Sequence, residues 1–354
     1  MNKKTIVFFS CEPGGAEVLS PVVHLVRERT RYEPIVLSYG FGAQRFAGRG
    51  IEHIEITGIA KDGRSIFEEY QADLAITSAA SLPERDMTEK YIWKQAKERG
   101  VPSLAFLDQW QNYVPRFSGP GESERLAYLP DYINCIDGVG EIEMVREGFD
   151  PRTLVKLGHP YLSSLQAYAA IVDQAEVRVR MNIPPDARVA LFASEAIREH
   201  FGRQRGYDQY DALRLFLEIT SRSSGDVTPL IKLHPKDSET EYRLTLKSHR
   251  GIRPVLVKNE LTATECITIA DVVYGMTSTM LIEAFVLGKQ AISLQPGLQG
   301  EDLMALSRLG LIPLVTGASH EPARLEAVPK PGAAEFSWSF DPDTALSFIE
   351  ELML

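Results

Sequence analysis

Short apolar runs alternate along the chain with segments whose apolar residues recur at helical spacing. Thr5–Phe9 (TIVFF) is a continuous apolar run of strand length, whereas Val18–Arg29 repeats its leucine and valine residues on one face of a helix. Strands that alternate with helices in this way are typical of a parallel sheet covered by helices. The sequence therefore predicts an α/β protein.

This alternation runs through the chain twice. In the first half the predicted strands are Thr5–Phe9, Pro34–Ser38, His53–Ile56, Leu74–Ser78, Val101–Leu107 and Pro130–Ile136. In the second half they are Arg188–Ala193, Thr228–Leu233, Pro254–Val257, Asp271–Tyr274, Ala291–Leu294 and Leu311–Val315. A chain of 354 residues exceeds one ordinary hydrophobic core, so two domains are expected.

The expected domain organisation follows from these two series of strands. We predict a Rossmann-like domain over residues 1–162, a connecting helix over 163–180, a second Rossmann-like domain over 181–335 and a C-terminal helix over 336–354. The two domains are expected to face each other across a cleft, with the C-terminal helix packing back near the domain junction.

A glycine-rich segment, Ser10–Glu17, follows the first predicted strand. We predict a turn there, with Gly14 and Gly15 allowing a ligand or the facing domain to approach the backbone. Because Pro21 restricts the backbone, the helix that follows is expected to begin near Ser20. The segment is not GxGxxG and no acidic residue follows the second strand in the expected place, which argues against a nicotinamide site.

The second half contains a strand-loop-helix-strand segment, Ala270–Pro296. Its loop places Thr277, Ser278 and Thr279 in a row before a predicted helix that contains Glu283 and ends at Gly288. These hydroxyls are suited to capping the helix. They are equally suited to binding a phosphate at its N-terminus. The loop alone leaves both interpretations open.

Composition narrows the classes of function. Hydrophobic residues make up 44% of the chain, charged residues 24%, and the net charge is −10, which argues against broad nucleic-acid binding. The three cysteines are far apart and form no CxxC pair, so neither a zinc site nor a disulfide framework is expected. Neither a signal peptide nor a membrane-spanning run is recognisable. A cytoplasmic protein without a bound metal is predicted.

Polar residues follow several predicted strands of the second half. His234, Pro235 and Lys236 come after one strand, the Thr277–Thr279 hydroxyls after another, and Ser194-Glu195 after the first. In a parallel sheet these strand ends share one edge. Basic groups opposite a hydroxyl-rich helix N-terminus predict a site for a monophosphate or diphosphate.

The first half offers the candidates for acid–base chemistry. Asp108 directly follows a strand and stands close in sequence to Trp110 and Arg116, which is the composition of a site rather than a linker. Asp108 is the main candidate for a general base or an acceptor-binding group, and Glu17 is a second. The alternative is that Asp108 caps a turn and Trp110 packs between the domains. For His159, between glycine and proline, a hinge role is favoured over a place in the cleft.

Two motifs resemble the nucleotide-binding half of GT-B glycosyltransferases. LIKLHP at 230–235 and GMTSTMLIEA at 275–284 resemble the HP and serine motifs of bacterial sialyltransferases, Kdo transferases and CDP-glycerol glycerophosphotransferases. This chain has Thr-Ser-Thr where those families have paired serines, and their acidic base motif is not identifiable. The resemblance implies the following donor-binding residues: Ser194, Glu195, His234, Pro235, Lys236, Gly275, Thr277, Ser278, Thr279 and Glu283.

The resemblance also implies roles for individual residues on the donor side and on the acceptor side. His234 and the hydroxyl motif would contact the donor phosphate, and Glu283 would hold the ribose. Gly14 and Gly15 match the acceptor-side loop of the fold. Trp110 and Arg116 complete the predicted acceptor side.

The function implied is group transfer. A glycosyl or glycerophosphoryl group would move from a nucleotide sugar or a CDP-/CMP-type donor to a hydroxyl of a glycan or lipid-linked acceptor, in surface polysaccharide biosynthesis. His234 and Lys236 would offset charge on the leaving phosphate, and Asp108 or Glu17 would deprotonate the acceptor. No cofactor or metal is implied. Peripheral association with the inner face of a membrane is compatible with a lipid-linked acceptor.

Two other functions fit the same fold. A non-hydrolysing UDP-sugar 2-epimerase shares the two domains, the glycine turn, a serine loop and a histidine. Those epimerases usually carry paired glutamates on the helix after the serine loop, whereas this chain has Glu283 alone. A non-catalytic nucleotide-sugar-binding relative would bind the nucleotide without turnover.

Overall fold

The computed structural model describes residues 3–56, 64–222, 227–247, 253–317 and 329–354. The chain divides into two compact units. The first consists of residues 1–164 together with 334–354, and the second of residues 165–333. The end of the chain therefore returns to the unit in which the chain begins.

The first unit is built on a sheet of seven parallel strands. The strands are β1 (Thr5–Ser10), β2 (Glu33–Ser38), β3 (Ile54–Glu55), β4 (Leu74–Thr77), β5 (Ser103–Phe106), β6 (Tyr132–Asn134) and β7 (Leu154–Val155). Their order is β3-β2-β1-β4-β5-β6-β7. The strand order reverses between β1 and β4, which makes this a doubly wound, Rossmann-like sheet.

Helices cover both faces of this sheet, as the apolar spacing predicts. They are α1 (Pro13–Arg29), α2 (Gly40–Gly48), α3 (Arg64–Tyr70), α4 (Thr88–Arg99), α5 (Tyr113–Arg116) and α6 (Gly138–Arg146). The central strand β1 is almost fully buried, with Phe8 and Phe9 at 0% exposure. α4 ends at Gly100, whose φ of 68° needs a residue without a Cβ.

The glycine-rich segment is the first turn of α1, not the predicted turn before a helix at Ser20. Pro13 starts the helix, because proline has the required φ and lacks only an N–H that would be unpaired there. A Cβ on Gly14 would lie 2.3 Å from Asp108 Oδ2, and one on Gly15 would lie 2.3 Å from Ser78 Oγ. The two glycines let α1 approach the neighbouring strand ends of its own unit.

The second unit repeats the architecture with six parallel strands. They are β8 (Arg188–Ala193), β9 (Val227–Lys232), β10 (Val255–Val257), β11 (Val272–Gly275), β12 (Gln290–Leu294) and β13 (Leu314–Val315). Their order is β10-β9-β8-β11-β12-β13, so the reversal lies between β8 and β11. The predicted α/β class with two Rossmann-like units is confirmed.

The helices of the second half begin with the segment predicted to connect the domains. It forms two helices, α7 (Pro160–Ala170), which crosses the boundary between the units, and α8 (Gln174–Arg180). The others are α9 (Ile197–Phe201), α10 (Gln209–Arg222), α11 (Glu239–Lys247), α12 (Ala263–Ile269), α13 (Thr279–Val286) and α14 (Ala305–Arg308). Thr262 caps α12 in a reciprocal capping box with Glu265.

The C-terminal helix α15 (Pro342–Leu352) packs on the first unit. Asp341 caps it, and Ile349 and Met353 join the core formed by β1 and α1. Arg29 at the end of α1 pairs with Asp343 on its surface. Within the described residues, no helix is both long and apolar enough to cross a membrane.

Candidate functional site

Most of the predicted site residues lie where ligands bind in doubly wound sheets, beyond the carboxyl ends of the strands and near the reversal of strand order. In the second unit this edge carries the residues that follow β8, β9 and β11. In the first unit it carries the residues that follow β1, β4 and β5.

At the edge of the second sheet, Glu195 and Thr277 are in direct contact. The Thr277 N–H donates to Glu195 Oε2 at 2.5 Å, and the Thr277 hydroxyl donates to Oε1 at 2.8 Å. Ser278 is the N-cap of α13 and accepts a hydrogen bond from the Met280 N–H at 3.3 Å. The hydroxyl loop thus caps the helix through Ser278 and holds a carboxylate through Thr277.

The Glu195 carboxyl titrates close to neutral pH. Desolvation raises its pKa to about 7, in spite of the Thr277 hydrogen bonds that favour the charged form. The buried Asp237 adds negative charge nearby and raises the pKa further. Near neutral pH, Glu195 is therefore divided between its acid and its carboxylate.

His234 belongs to a tight turn after β9. Its N–H donates to Asp237 Oδ2 at 2.8 Å, and its Nδ1 accepts the Lys236 N–H at 3.1 Å. Burial, and then the charges of Lys236, His200 and Lys258, lower its pKa to about 4. The imidazole is neutral at pH 7 with its proton on Nε2, so it would act on a phosphate as a hydrogen-bond donor rather than as a cation.

Two basic residues that the sequence did not single out accompany His234. His200, in the five-residue helix α9, has Nε2 3.3 Å from Lys236 Nζ, and its ring centre lies 6.4 Å from that of His234. The Lys258 ammonium donates to the Asp237 carbonyl at 3.0 Å. We call His200, His234, Lys236 and Lys258 the basic cluster. His200 and Lys258 follow β8 and β10, the strands on either side of β9, and only the strand order brings them together.

The remaining residues predicted to bind the donor contact mainly other parts of the protein or belong to its helices and turns. Gly275 is the last residue of β11, and its missing Cβ would lie 3.2 Å from the Ala193 carbonyl. The Ser194 hydroxyl contacts the Tyr242 hydroxyl inside the core. Glu283 lies on α13 and is 6% exposed. Pro235 is exposed in the His234 turn, whereas Thr279 is the first residue of α13. Their roles in donor binding stay predictions.

On the first sheet, Asp108 forms a buried ion pair with Arg116. Arg116 Nη1 lies 2.8 Å from Asp108 Oδ1, with side-chain exposures of 5% and 18%. Arg116 also donates to the carbonyls of Ala79 and Gln111. The second Asp108 oxygen lies beside Gly14 at the N-terminus of α1, where the helix dipole favours negative charge. Asp108 is a held, partly accessible carboxylate, and Arg116 is engaged with it rather than open to an acceptor.

Glu17 is bound to two arginines of the same unit. Its carboxylate lies 2.7 Å from Arg49 Nε and 3.2 Å from Arg45 Nη1, and it is 12% exposed. Arg49 in turn lies over the Tyr161 ring, 5.3 Å from its centre. A carboxylate neutralised in this way ties α1 to α2, and its geometry does not favour the predicted role of base.

Trp110 and His159 are packed inside the first unit. Trp110 is 1% exposed, donates from Nε1 to Asp137 at 2.8 Å and lies between His159 and Phe336, with ring centres at 5.9 and 4.7 Å. His159 accepts the Leu162 N–H, and burial lowers its pKa to about 4. The indole has no open face for an acceptor, so its acceptor-side assignment is not favoured by these contacts.

A buried polar cluster that the sequence did not indicate lies beside these residues. Ser78 donates to Ser10 Oγ at 2.8 Å, Glu89 accepts the Ala80 N–H at 2.6 Å, and Lys90 donates to the Ala80 carbonyl at 3.1 Å. Glu89 is 1% exposed and Lys90 0%. Burial raises the pKa of Glu89 and lowers that of Lys90, which moves both towards their neutral forms. Together they fix the loop after β4.

In the part of the chain that the structure describes, no group of three or more His, Cys, Asp or Glu residues is arranged to hold a metal ion.

No protein-family model matches the chain, and a comparison with curated proteins finds no match. Solved structures do match. The UDP-GlcNAc 2-epimerase from Neisseria meningitidis bound to UDP-GlcNAc has 12% identity and a TM-score of 0.63, over 90% of this chain and 88% of that chain. The UDP-GlcNAc 2-epimerase from Methanocaldococcus jannaschii has 12% identity and a TM-score of 0.66, over 99% and 100%. The glycotransferase of kitacinnamycin has 13% identity and a TM-score of 0.61, over 100% of both chains.

At these identities the likeness establishes the fold. The GT-B fold implied by the sequence is confirmed, since these structures match this chain over nearly its whole length. The narrower resemblance to sialyltransferases, Kdo transferases and CDP-glycerol glycerophosphotransferases finds no such support, because UDP-GlcNAc 2-epimerases predominate among the matches. The chain has the GT-B fold.

Proposed function

We propose that this chain binds a UDP-linked sugar and inverts its C2 centre, as a non-hydrolysing UDP-sugar 2-epimerase. The observation that carries the proposal is the edge of the second sheet, where the basic cluster and the N-terminus of α13 follow neighbouring strands. This combination suits a diphosphate. UDP is favoured because solved structures of this fold include complexes with UDP-GlcNAc and with UDP.

Each group of this edge has a distinct task in the proposal. Lys236 supplies positive charge to the diphosphate, and the neutral His234 donates from Nε2. At the N-terminus of α13 the helix dipole favours negative charge, and a phosphate there would replace the Ser278 hydroxyl as the acceptor of the Met280 N–H. These interactions strengthen as negative charge develops on the leaving phosphate, so they assist a reaction at the sugar as well as binding.

The sugar chemistry needs a base. Inversion at C2 breaks the C2–H bond: as the base takes the proton, the C–H electron pair forms a C1–C2 double bond and UDP leaves with the C1–O electron pair. Return of UDP to C1 and of a proton to the opposite face of C2 completes the inversion. Asp108 is the proposed base, because Arg116 and the first turn of α1 hold its carboxylate in place while leaving it 18% exposed. Glu17 is no longer proposed as the base, because its carboxylate is already paired with two arginines.

Glycosyl transfer is the second candidate. The specific observation in its favour is that α13 carries Glu283 as its single glutamate, where 2-epimerases usually carry a pair. The match to the glycotransferase of kitacinnamycin also covers the whole of both chains. In this case Asp108 would deprotonate an acceptor hydroxyl of a glycan or lipid-linked molecule, and the nucleotide edge would keep the same task.

One experiment separates these functions. UDP-GlcNAc is incubated with the protein in deuterated buffer without an acceptor, and C2–H exchange and formation of the C2 epimer are followed by proton NMR. Exchange with epimer formation supports the epimerase. Tight binding without exchange, with UDP released only when an acceptor is added, favours the transferase. Binding without turnover under all conditions favours a non-catalytic nucleotide-sugar-binding protein.

A variant pair then tests the assignment of residues. Asp108→Asn should abolish C2–H exchange and leave the affinity for UDP unchanged, because Asp108 lies on the first unit and the basic cluster on the second. His234→Ala should weaken UDP binding. Exchange that persists at the wild-type rate in Asp108→Asn would remove Asp108 from the role of base.

A further inference from the structure

The loop that leads into α13 already holds a carboxyl group that belongs to the chain. Glu195 accepts hydrogen bonds from both the N–H and the hydroxyl of Thr277, at 2.5 and 2.8 Å. Thr277 directly precedes Ser278, the N-cap of α13, so the carboxyl lies beside the helix end whose dipole favours negative charge. The carboxylate is thus a neighbour of the helix end that the proposed function assigns to a ligand phosphate.

A phosphate at the N-terminus of α13 and the ionised Glu195 carboxylate would be neighbouring negative charges. Like charges at contact distance in a poorly solvated site repel each other strongly. A phosphate that binds at α13 therefore favours the neutral form of Glu195. A neutral carboxyl would also have a proton to donate to a phosphate oxygen.

The surroundings make Glu195 the group that changes charge. From the turn after β9, Asp237 adds a negative charge, and from the segment before α10 the Tyr207 phenol lies within electrostatic range. Tyr207 donates to Gln295, and burial raises the pKa of its phenol far above neutrality. Burial also raises the pKa of Asp237, whose Oδ2 stays bound to the His234 N–H. Glu195 itself has its pKa raised to about 7.

We propose that Glu195 couples binding of the nucleotide diphosphate to the uptake of one proton, because a phosphate at the N-terminus of α13 favours the neutral acid beside it. The inference rests on the proposed function, because it needs a phosphate at that helix. It makes affinity for the nucleotide sugar depend on pH, with the strongest binding on the acid side of neutrality.

The direction and the size of the pH dependence of the Kd follow from the linkage between proton uptake and binding. Below pH 7 Glu195 is mostly neutral and binding takes up few protons, whereas at pH 8 it is mostly ionised and binding takes up almost one. The Kd should therefore rise about tenfold between pH 6 and pH 8. UDP-GlcNAc is the suitable probe, because its diphosphate is a diester and does not titrate in this range.

The test is isothermal titration calorimetry of UDP-GlcNAc into the whole chain, at pH 6 and pH 8, in two buffers that differ in ionisation enthalpy. We expect uptake of close to one proton at pH 8 and little at pH 6. This wild-type measurement depends on no variant. Binding without proton uptake at pH 8 would overturn the coupling while leaving the proposed function intact. Absence of any binding would overturn the proposed function itself.

Three variants locate the proton. Glu195→Gln should bind at pH 8 about as tightly as the wild type binds at pH 6, with no proton uptake. Glu239→Gln, an exposed glutamate that pairs with Arg243 in the same unit, is the matched control and should behave as the wild type. If Asp237→Asn abolishes the proton uptake and Glu195→Gln does not, the proton resides on Asp237 and the assignment to Glu195 is wrong.

Discussion

The first turn of α1 approaches its neighbours so closely that only glycine fits at position 15. A methyl group on Gly15 would lie 2.3 Å from Ser78 Oγ, 2.4 Å from Ser78 Cβ and 2.5 Å from Ser10 Oγ. The Ser78 Cβ is attached directly to the backbone, and Glu89 holds the loop that follows, so neither can swing aside. We expect Gly15→Ala to destabilise the first unit by about 1–3 kcal/mol, the usual effect of overpacking.

Gly48→Ala is the matched control. Gly48 is the last residue of α2, and a methyl group there would meet nothing within 4 Å. Because alanine is favoured over glycine in helices, this change should stabilise the unit by up to about 1 kcal/mol. The two substitutions are chemically identical, so a difference in the sign of their effects isolates the close approach at Gly15.

The assay is unfolding in urea followed by tryptophan fluorescence. All three tryptophans, Trp93, Trp110 and Trp338, belong to the first unit, so the signal reports that unit. Gly15→Ala should lower the midpoint with an unchanged slope, because a change of midpoint alone is a change of stability. A Gly15→Ala midpoint equal to that of the wild type would refute the reasoning.

Three further predictions concern single contacts. Arg116→Met should destabilise the first unit by about 3–5 kcal/mol in the same fluorescence assay, because it leaves the Asp108 charge without its buried partner; an effect below about 1 kcal/mol would contradict this. Thr262→Ala should cost about 1 kcal/mol by loss of the α12 cap, measured by circular dichroism, with Thr262→Ser close to wild type. His234→Ala should weaken UDP binding about tenfold through loss of a hydrogen bond to a charged group, measured by calorimetry, and an unchanged Kd would remove His234 from the phosphate site.

The fold was predictable because its strands are short apolar runs closed by polar residues. The strands at Thr5–Phe9 and Arg188–Ala193 could be recognised from their apolar residues alone. Asp341 could likewise be recognised as the N-cap of the C-terminal helix. The start of α1 was not predictable in the same way. Two glycines after a proline are typical of a turn, and only the contacts of Gly14 and Gly15 with neighbouring strands explain why the helix needs them.

The candidate site was predictable where chemistry and strand ends coincide in sequence. His234, Lys236 and the hydroxyl loop stand directly after strands, so the parallel topology alone placed them on one edge. His200 and Lys258 carry no motif, and they join the cluster only because β8 and β10 flank β9. Glu17 shows the opposite failure, since its partners Arg45 and Arg49 lie on another helix and no sequence spacing reveals that pairing.

The two units carry different residues at the point where the strand order of the sheet reverses. At each reversal of strand order, side chains from the two adjoining strands meet: Ser10 with Ser78 in the first unit, and Glu195 with Thr277 in the second.

The serine pair is fully buried, at 0% and 2% exposure, and is sealed further by Gly15 and Glu89. Glu195 is only partly buried, and it joins the two strand ends through its hydrogen bonds with Thr277. A sealed hydroxyl pair can only hold two strands and a helix together. A partly exposed carboxyl beside the N-cap of α13, within electrostatic range of Asp237, can exchange its hydrogen bonds with a ligand. This difference supports the proposal that the phosphate binds to the second unit rather than the first.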